Sequence, residues 1–412
     1  MKKLVIAVVL LLVSTSVFAK KIEISYWHSL GFHVKELVED MVKEYNDANP
    51  DVEVEAVFQG LYEEMQVKMM TAAVTRQLPD VAQVQYEYID IYVLNGILEP
   101  IDKLLDPALK EDVPEVMWKQ VTRDGLIYGI PYCVSATMYF YNQNAFVRAG
   151  LDPDQPPSTW EELIEAGKKL TVDNDGDGKF DTYALMFWAD GFYGLSPFLW
   201  ANGGEFFSED GTRILLTSEE MLRTIGMLRD LVFKYHIMPQ NWTAWEGGQA
   251  FLTGNLAMGF FTSAALTYGE QNLPWTLRVA PMPEVQGKRY TVLGGSGLLN
   301  FAKKGKQRKA AYDFASWLVS KENTIRLHEA VGYIPVRKSA LNSLALKAFH
   351  RDNPNHRVTV EALSYARPLP HNPEYYKINV KLREMLERIF LEGADPAAEL
   401  AKAEQEINDI LR

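Results

Sequence analysis

The sequence predicts an α/β protein with a mostly parallel sheet, divided into two domains. Apolar and polar residues alternate over residues 22–26 and again over 52–58, and apolar residues at helical spacing follow each run. Alternation of strands and helices is typical of parallel sheets. Residues 20–412 also exceed the roughly 250–300 residues at which a single hydrophobic core stops growing, which favours two domains.

The first 19 residues have the three parts of an export signal. Lys2 and Lys3 precede an apolar run over residues 4–13, and Val17-Phe18-Ala19 is a small-x-small cleavage site. The run is shorter than the roughly 18 residues that a transmembrane helix needs, so a retained anchor is the disfavoured alternative. The residue directly after the cleavage site is Lys20 rather than cysteine, and we therefore expect a periplasmic protein that begins at Lys20 and carries no lipid.

Composition narrows the classes of partner. The formal net charge of −12 argues against nucleic acid and anionic membranes. It leaves small anions open, because the donors of a pocket need not follow the net charge. Cys133 is the single cysteine, so no intramolecular disulfide forms.

Residues 60–80 predict a loop, an amphipathic helix and the start of a strand. Apolar residues recur at helical spacing over 65–73, and residues 78–79 (Leu-Pro) end the helix. Tyr62 lies in the loop before this helix, and Glu87 follows the next strand. Ligands of α/β sheets bind beyond the carboxyl ends of strands, which makes both residues candidate ligand contacts.

The middle of the chain predicts a passage between two domains. Residues 128–132 and 138–142 are predicted strands, and the segment 133–137 between them is the candidate crossing. A polar, proline-rich linker follows and ends in a capping box made by Thr159 and Glu162.

An acidic stretch over residues 173–181 is similar to a calcium-binding loop. Its four carboxylates are Asp173, Asp175, Asp177 and Asp181. The first three hold the spacing of calcium ligands, with Gly178 at the sharp turn, but Ala184 stands where a bidentate acid is needed. Structural calcium is therefore one interpretation and a solvated acidic turn is the other; the sequence indicates no other cofactor.

Two further stretches contribute candidate ligand contacts. Residues 187–204 are the most aromatic part of the chain, and Trp188 lies in a loop after a predicted strand. An exposed indole offers an apolar platform for a sugar or a glycerol, although core packing is the alternative. Glycines at 294, 295 and 297 let a ligand approach backbone N–H groups closely.

Two predicted helices, near 374–391 and 395–411, end the chain.

These pieces resemble family 1 extracellular solute-binding proteins of ABC importers over nearly all of residues 20–412. The matching pieces are, in order, YWHSL, the Tyr62 helix with LPDV, GLDPDQPPSTWEEL, GNLAMGFF, GGSGL, GYIPVRK and ARPLPHNPEYY. Within the family, the resemblance is strongest to the branch that binds glycerol-3-phosphate, which shares the WHS, GxYE and GLDPxQPPxTW patterns.

The resemblance implies a two-lobed periplasmic-binding-protein fold, with lobes that are discontinuous in sequence and joined by crossing strands. We expect an N-lobe of residues 20–133 with 292–332 and a C-lobe of residues 134–291 with 333–412. The solute would bind between the lobes and close them about a hinge. A monomer would then deliver the solute to the transmembrane subunits of an ABC permease.

Residues that match the family's motifs supply the implied ligand contacts. They are Tyr62, Glu87, Ser135, Trp188, Ser263, Gly294, Gly295, Ser296 and Tyr333. One departure concerns the arginine with which glycerol-3-phosphate binders grip the phosphate, in a loop after Pro-Leu-Pro. Here Pro370 is followed at once by His371, and Arg367 belongs to a motif shared with sugar binders. Bidentate arginine is the usual partner of phosphate, so a di- or oligosaccharide is the alternative ligand.

An enzyme is the competing class of function. A secreted hydrolase needs an activated nucleophile or paired carboxylates. The sequence has no GxSxG or HExxH motif, and its seven histidines are scattered. The sequence therefore favours a binding protein over an enzyme.

Overall fold

The computed structural model describes residues 20–31, 34–173, 175–177, 180–187, 190–240 and 242–412. The predicted export signal (1–19), Gly178 and Trp188 lie outside these residues. Before the crossing, the chain contains β1 (Ile22–His28), α1 (Lys35–Ala48), β2 (Val52–Phe58), α2 (Tyr62–Thr75), β3 (Val81–Gln85), a 3₁₀ turn (Tyr86–Tyr88), α3 (Ile89–Leu94), α4 (Pro107–Asp112), α5 (Glu115–Val121), β4 (Thr122–Arg123) and β5 (Leu126–Ile127).

The crossing strand opens the second part of the chain. This part contains β6 (Gly129–Asn142), α6 (Gln143–Arg148), α7 (Trp160–Leu170), β7 (Tyr183–Met186), α8 (Gly191–Ala201), α9 (Glu219–Phe233), α10 (Ala244–Thr253), β8 (Leu256–Thr262), a 3₁₀ turn (Ser263–Ala265), α11 (Leu266–Asn272) and β9 (Leu277–Ala280).

A second long strand opens the last part. It is followed mainly by helices: β10 (Thr291–Asn300), α12 (Gly305–Leu318), α13 (Lys321–Val331), α14 (Lys338–Leu341), α15 (Leu344–Asp352), α16 (Pro354–Glu361), a 3₁₀ turn (Ala362–Tyr365), β11 (Ala366–Pro368), α17 (Tyr375–Phe390) and α18 (Pro396–Ile410). The last two helices confirm the closing pair predicted from sequence.

Within the described residues, nine strands form one sheet in the order β2-β1-β3-β10-β6-β8-β7, with β11 beside β10 and β9 beside β6. β1 pairs in parallel with β2 and β3, whereas β10 runs antiparallel to both β3 and β6. The sheet is therefore mixed rather than mostly parallel, because the two longest strands pass through its centre in opposite directions.

β6 joins the two halves of the sheet. Residues 129–136 of this strand pair with β10, and residues 137–142 pair with β8 and β9. The sequence predicted two strands with a break over residues 133–137, but the structure has one strand whose 14 residues are all buried. Pairing with β10 continues through the supposed break, so the backbone stays extended there.

α2 begins one residue earlier than the sequence indicated. Tyr62 is the first residue of this helix rather than a loop residue, and the Glu64 carboxylate accepts from the Leu61 N–H at 3.2 Å just before it. The helix ends at Thr75, and the next residue, Arg76, adopts a left-handed conformation with a φ of 58°. Among the described residues, no helix is both long and apolar enough to cross a membrane.

Candidate functional site

The site is centred on the antiparallel pair β6–β10. Ser135 lies opposite Gly294, Val134 opposite Gly295 and Cys133 opposite Ser296. The register then slips by one residue between Ser296 and Gly297. Such bulges are common beside binding sites, because they change the direction in which side chains point.

Gly295 allows the two strands to approach. Its φ is +113°, and a Cβ built on it would lie 1.8 Å from the carbonyl oxygen of Cys133. A side chain is excluded by both the backbone conformation and the space. The glycine is thus explained by strand packing, whether or not a ligand also reaches its N–H.

A hydrogen-bonded group of three side chains lies on the N-terminal half of the sheet. The Tyr62 hydroxyl is 3.1 Å from Ser296 Oγ, and Gln83 Nε2 donates to Ser296 Oγ at 2.9 Å and to the Tyr62 hydroxyl at 3.3 Å. Gln83 Oε1 in turn accepts from the Ser29 N–H at 2.8 Å. The structure brings the predicted residues Tyr62 and Ser296 together and adds Gln83, a fully buried polar residue of β3.

Tyr333 reaches the same group from the segment after α13. Its hydroxyl lies beside that of Tyr62, and burial raises the pKa of both phenols. The Tyr333 carbonyl oxygen accepts from His328 Nδ1 at 2.8 Å, and the next residue, Ile334, donates its N–H to the Val134 carbonyl at 2.7 Å. Tyr333 is therefore held in place by His328 and by the hydrogen bond that Ile334 makes to the crossing strand β6.

Hydroxyl groups also gather on the other half of the sheet. The Tyr193 hydroxyl faces those of Ser135, Thr137 and Thr262. It is buried, yet the described residues give it no partner in hydrogen-bonding geometry. A buried hydroxyl without a partner loses free energy, so it is suited to bind a polar group of a ligand. Tyr193, Thr137 and Thr262 were missed from sequence.

Two carboxylates approach the site from opposite halves. Glu87 lies in the 3₁₀ turn after β3, and burial, with a further contribution from the negative charge of Asp190, raises its pKa to about 7. Burial also raises the pKa of Asp190, while Arg383 opposes the shift. Arg383 Nε is 3.8 Å from Asp190 Oδ1, too far for a close ion pair. The site is consequently short of positive charge.

A cavity of about 240 Å³ opens beside Tyr193. Its lining comprises Thr137, Phe187, Asp190, Tyr193, Gly194, Phe260, Phe261 and Thr262. Three phenylalanines make most of its wall apolar. Among the described residues that line it, Asp190 alone carries a formal charge.

Ser263 and Arg367 have partners within the protein. Ser263 is fully buried, and its Oγ accepts from the Ala136 N–H at 3.2 Å, which fixes the crossing strand. Arg367 Nη2 donates to Glu205 at 2.7 Å, and its guanidinium stacks 4.5 Å from the Trp200 ring. Arg367 therefore does not replace the missing phosphate-binding arginine.

The acidic residues Asp173, Asp175 and Asp177 do not belong to the lining of the cavity beside Tyr193. Carboxylate oxygens of Asp173, Asp175 and Asp177 lie within 4.8 Å of one another. The Asp181 N–H donates to the Val172 carbonyl at 2.9 Å. Calcium binding by these residues stays a prediction.

The fold and this central cleft define a class of protein, the two-lobed solute-binding proteins. The chain matches the family model described as bacterial extracellular solute-binding protein over residues 40–356, and it belongs to that family. It is therefore a solute-binding protein of an ABC transporter.

Two relatives of this chain are glycerol-3-phosphate binders by name. The chain is 26% identical to the sn-glycerol-3-phosphate-binding periplasmic protein UgpB of Escherichia coli K12, over 94% of this chain and 92% of that protein. The Rhizobium meliloti protein of the same name is 23% identical, over 89% and 88%.

Solved structures confirm the fold. UgpB from Mycobacterium tuberculosis in complex with glycerophosphocholine has a TM-score of 0.82, with 24% identity over 95% of this chain and 98% of that one. The cyclic α-maltosyl-1,6-maltose binding protein from Arthrobacter globiformis has a TM-score of 0.83, with 24% identity over 95% and 99%. The two-lobed fold is thus shared by phosphodiester and sugar binders.

Proposed function

We propose that this chain is the periplasmic, non-enzymatic receptor of an ABC importer for glycerol-3-phosphate or a glycerophosphodiester. The observation that carries the proposal is the convergence of hydroxyl groups on the β6–β10 pair from both halves of the sheet. Tyr62 and Ser296 approach from one side, and Tyr193, Thr137 and Thr262 from the other. Such an arrangement binds a small polyol and closes the two halves around it. The named relatives support the choice of solute.

Removal of the Tyr193 hydroxyl tests this site. Tyr193→Phe should weaken glycerol-3-phosphate binding about threefold to tenfold, because a neutral hydrogen bond contributes about 0.5–1.5 kcal/mol net. The stability of the ligand-free protein should be unchanged or slightly higher, since this buried hydroxyl has no partner among the described residues. Isothermal titration calorimetry and urea unfolding measure the two quantities.

Tyr92→Phe is the matched control. It also removes a buried hydroxyl, but from α3, where the Tyr92 ring packs edge-on against Phe301 at 5.3 Å. Binding should stay at the wild-type level in this variant. Equal loss of affinity in both variants would reject a direct role for Tyr193.

An oligosaccharide is the second candidate, because of the charge of the site. The carboxylates of Glu87 and Asp190 face the site, and Arg367 is hydrogen-bonded to Glu205. Carboxylates accept hydrogen bonds from sugar hydroxyls but repel phosphate.

The pH dependence of affinity separates the two solutes. The Glu87 pKa of about 7 means that this carboxyl gains a proton between pH 8 and pH 6.5. Protonation of Glu87 removes its repulsion of the phosphate, so the affinity for glycerol-3-phosphate should be at least about threefold higher at pH 6.5 than at pH 8. A sugar that donates to the carboxylate should bind more weakly at that pH.

Calorimetry with glycerol-3-phosphate and maltotriose at both pH values is the measurement, and Glu87→Gln is the control that should abolish either trend. Tight maltotriose binding, with no heat from any glycerophosphate compound, would refute the favoured solute and leave the transport role intact.

A further inference from the structure

Three histidines pack together next to the segment that carries Tyr333. They are His328 on α13, His350 on α15 and His356 on α16, and the ring centroids of His350 and His356 lie 5.1 and 5.0 Å from that of His328. His328 and His356 are fully buried, whereas His350 is half-buried. Burial penalises the charged form of an imidazole, so this cluster is sensitive to protonation.

Hydrogen bonds fix the position of the protons on His328. The Tyr333 carbonyl oxygen can only accept, so His328 Nδ1, at 2.8 Å from it, carries a proton. In the neutral ring, Nε2 is then an acceptor, and His350 Nε2 donates to it at 2.9 Å. A second proton on His328 would meet this N–H, unless His350 moved its own proton to Nδ1. The pair therefore cannot keep this contact with both rings charged.

The surroundings favour two neutral rings. Burial lowers the pKa of His328 to about 3, with a further contribution from His356, and the Tyr333 carbonyl opposes the shift. Burial also lowers the pKa of His350 to about 4, with contributions from His356 and Arg357. The carboxylate of Glu270 lies 3.3 Å from His356 Nε2, so it faces the third histidine rather than the pair.

The backbone beside Tyr333 has little freedom to move independently of this pair. Gly332 has a φ of +101°, and a Cβ built on it would lie 2.4 Å from the Ser263 carbonyl oxygen. On the other side, the Ile334 N–H donates to the Val134 carbonyl at 2.7 Å. The Tyr333 hydroxyl lies beside that of Tyr62. A displacement of the Tyr333 carbonyl would thus change the position of its hydroxyl in the site.

We infer that His328 and His350 are a positioning pair, which holds Tyr333 in the solute site while both imidazoles are neutral, so that acid weakens solute binding. The sign follows from proton linkage. Each imidazole has a lower pKa in the docked arrangement than its ordinary value of about 6.5, so docking releases protons below that pH and becomes less favourable as the pH falls. The inference rests on the proposed function, because it takes Tyr333 as a contact of the solute.

The test is titration calorimetry with glycerol-3-phosphate at pH 7 and pH 5, on wild-type protein and His328→Asn. Asparagine places an N–H near the position of Nδ1, so it can still donate to the Tyr333 carbonyl, but it cannot titrate. Between the two pH values, the wild type should lose at least about fivefold more affinity than His328→Asn, and the limit for one histidine is roughly 25-fold. Effects of Glu87 and of the phosphate's own protonation are common to both proteins and cancel in this comparison.

Two further variants separate positioning from simple packing. His328→Leu removes the donor to Tyr333, so its affinity at pH 7 should be about threefold to tenfold below that of His328→Asn. His236→Asn is the control for loss of a histidine elsewhere, because His236 is exposed and its φ of 54° suits asparagine. This control should keep the wild-type pH profile.

The outcomes distinguish the inference from the proposed function. Equal pH profiles in the wild type and His328→Asn would overturn the positioning pair, and this comparison stands even if His328→Leu does not fold. Affinity in His328→Asn as low as in His328→Leu at pH 7 would also count against it. Binding of maltotriose in place of glycerol-3-phosphate would overturn the proposed solute, and the same comparison with maltotriose would then decide the inference. No affinity for either probe would overturn both.

Discussion

Replacing Gly295 with alanine is expected to destabilise the protein by about 4 kcal/mol or more and to abolish solute binding. The φ of +113° is a conformation that residues with a side chain rarely adopt, and the new Cβ would overlap the Cys133 carbonyl oxygen at 1.8 Å. That carbonyl belongs to β6, which is paired with β10 at this point and is held on its other side by the bridge between Val134 and Ile334, so it has little room to move away. Urea unfolding of the purified variant measures the loss.

Gly211→Ala is the control for the backbone conformation alone. Gly211 has a φ of +70°, and a Cβ built on it meets nothing within 4 Å. Its replacement should cost about 1 kcal/mol. A Gly295→Ala variant as stable as Gly211→Ala would show that β6 and β10 can separate, against the packing described above.

Arg123→Leu is expected to cost about 3–5 kcal/mol, because it leaves a buried carboxylate without its cation. Arg123 Nε donates to Asp90 Oδ1 at 2.6 Å, and the two side chains are only 8% and 11% exposed. Arg123 Nη2 also donates to the Tyr86 carbonyl at 3.1 Å, directly before Glu87. Loss of stability in urea should thus be accompanied by weaker solute binding.

An exposed ion pair provides the matched control. Arg326 Nη1 lies 2.8 Å from Glu44, with side chains 30% and 54% exposed, and Arg326→Leu should cost less than about 1 kcal/mol. The double replacement Arg123→Leu, Asp90→Leu should recover much of the lost stability, since no buried charge remains. Equal losses in Arg123→Leu and Arg326→Leu would contradict the burial argument.

Local sequence patterns were sufficient to predict most individual strands and helices. The alternation over residues 52–58, the helical spacing in α2 and the capping box of α7 all correspond to observed elements. Each depends on residues a few positions apart, which is the range over which periodicity and capping act. The predicted break over residues 133–137 failed because nothing local indicates that β10, more than 150 positions later, pairs across it.

The residues of the candidate site were likewise predicted from the sequence only in part. Tyr62, Glu87 and Ser296 were found through motifs, and the structure gathers them near the end of β3. Gln83 and Tyr193 were missed, although a polar residue within a buried strand was a signal for the first. Tyr193 stood among many aromatic residues, and only its position over Gly294 distinguishes it from core packing.

The sequence alone determined the α/β class, most strands and helices, and the resemblance to solute-binding proteins, because these follow from short-range periodicity and ordered motifs. Only the tertiary structure decided which hydroxyls converge, that Arg367 is bound to Glu205, and that Glu87 and Asp190 approach from opposite halves. The physical reason is that charge and hydrogen bonding act through space between strands and helices that are far apart in the chain. The balance of charge and hydrogen bonding in the cleft, and with it the choice of solute, depends on tertiary packing that no local sequence pattern contains.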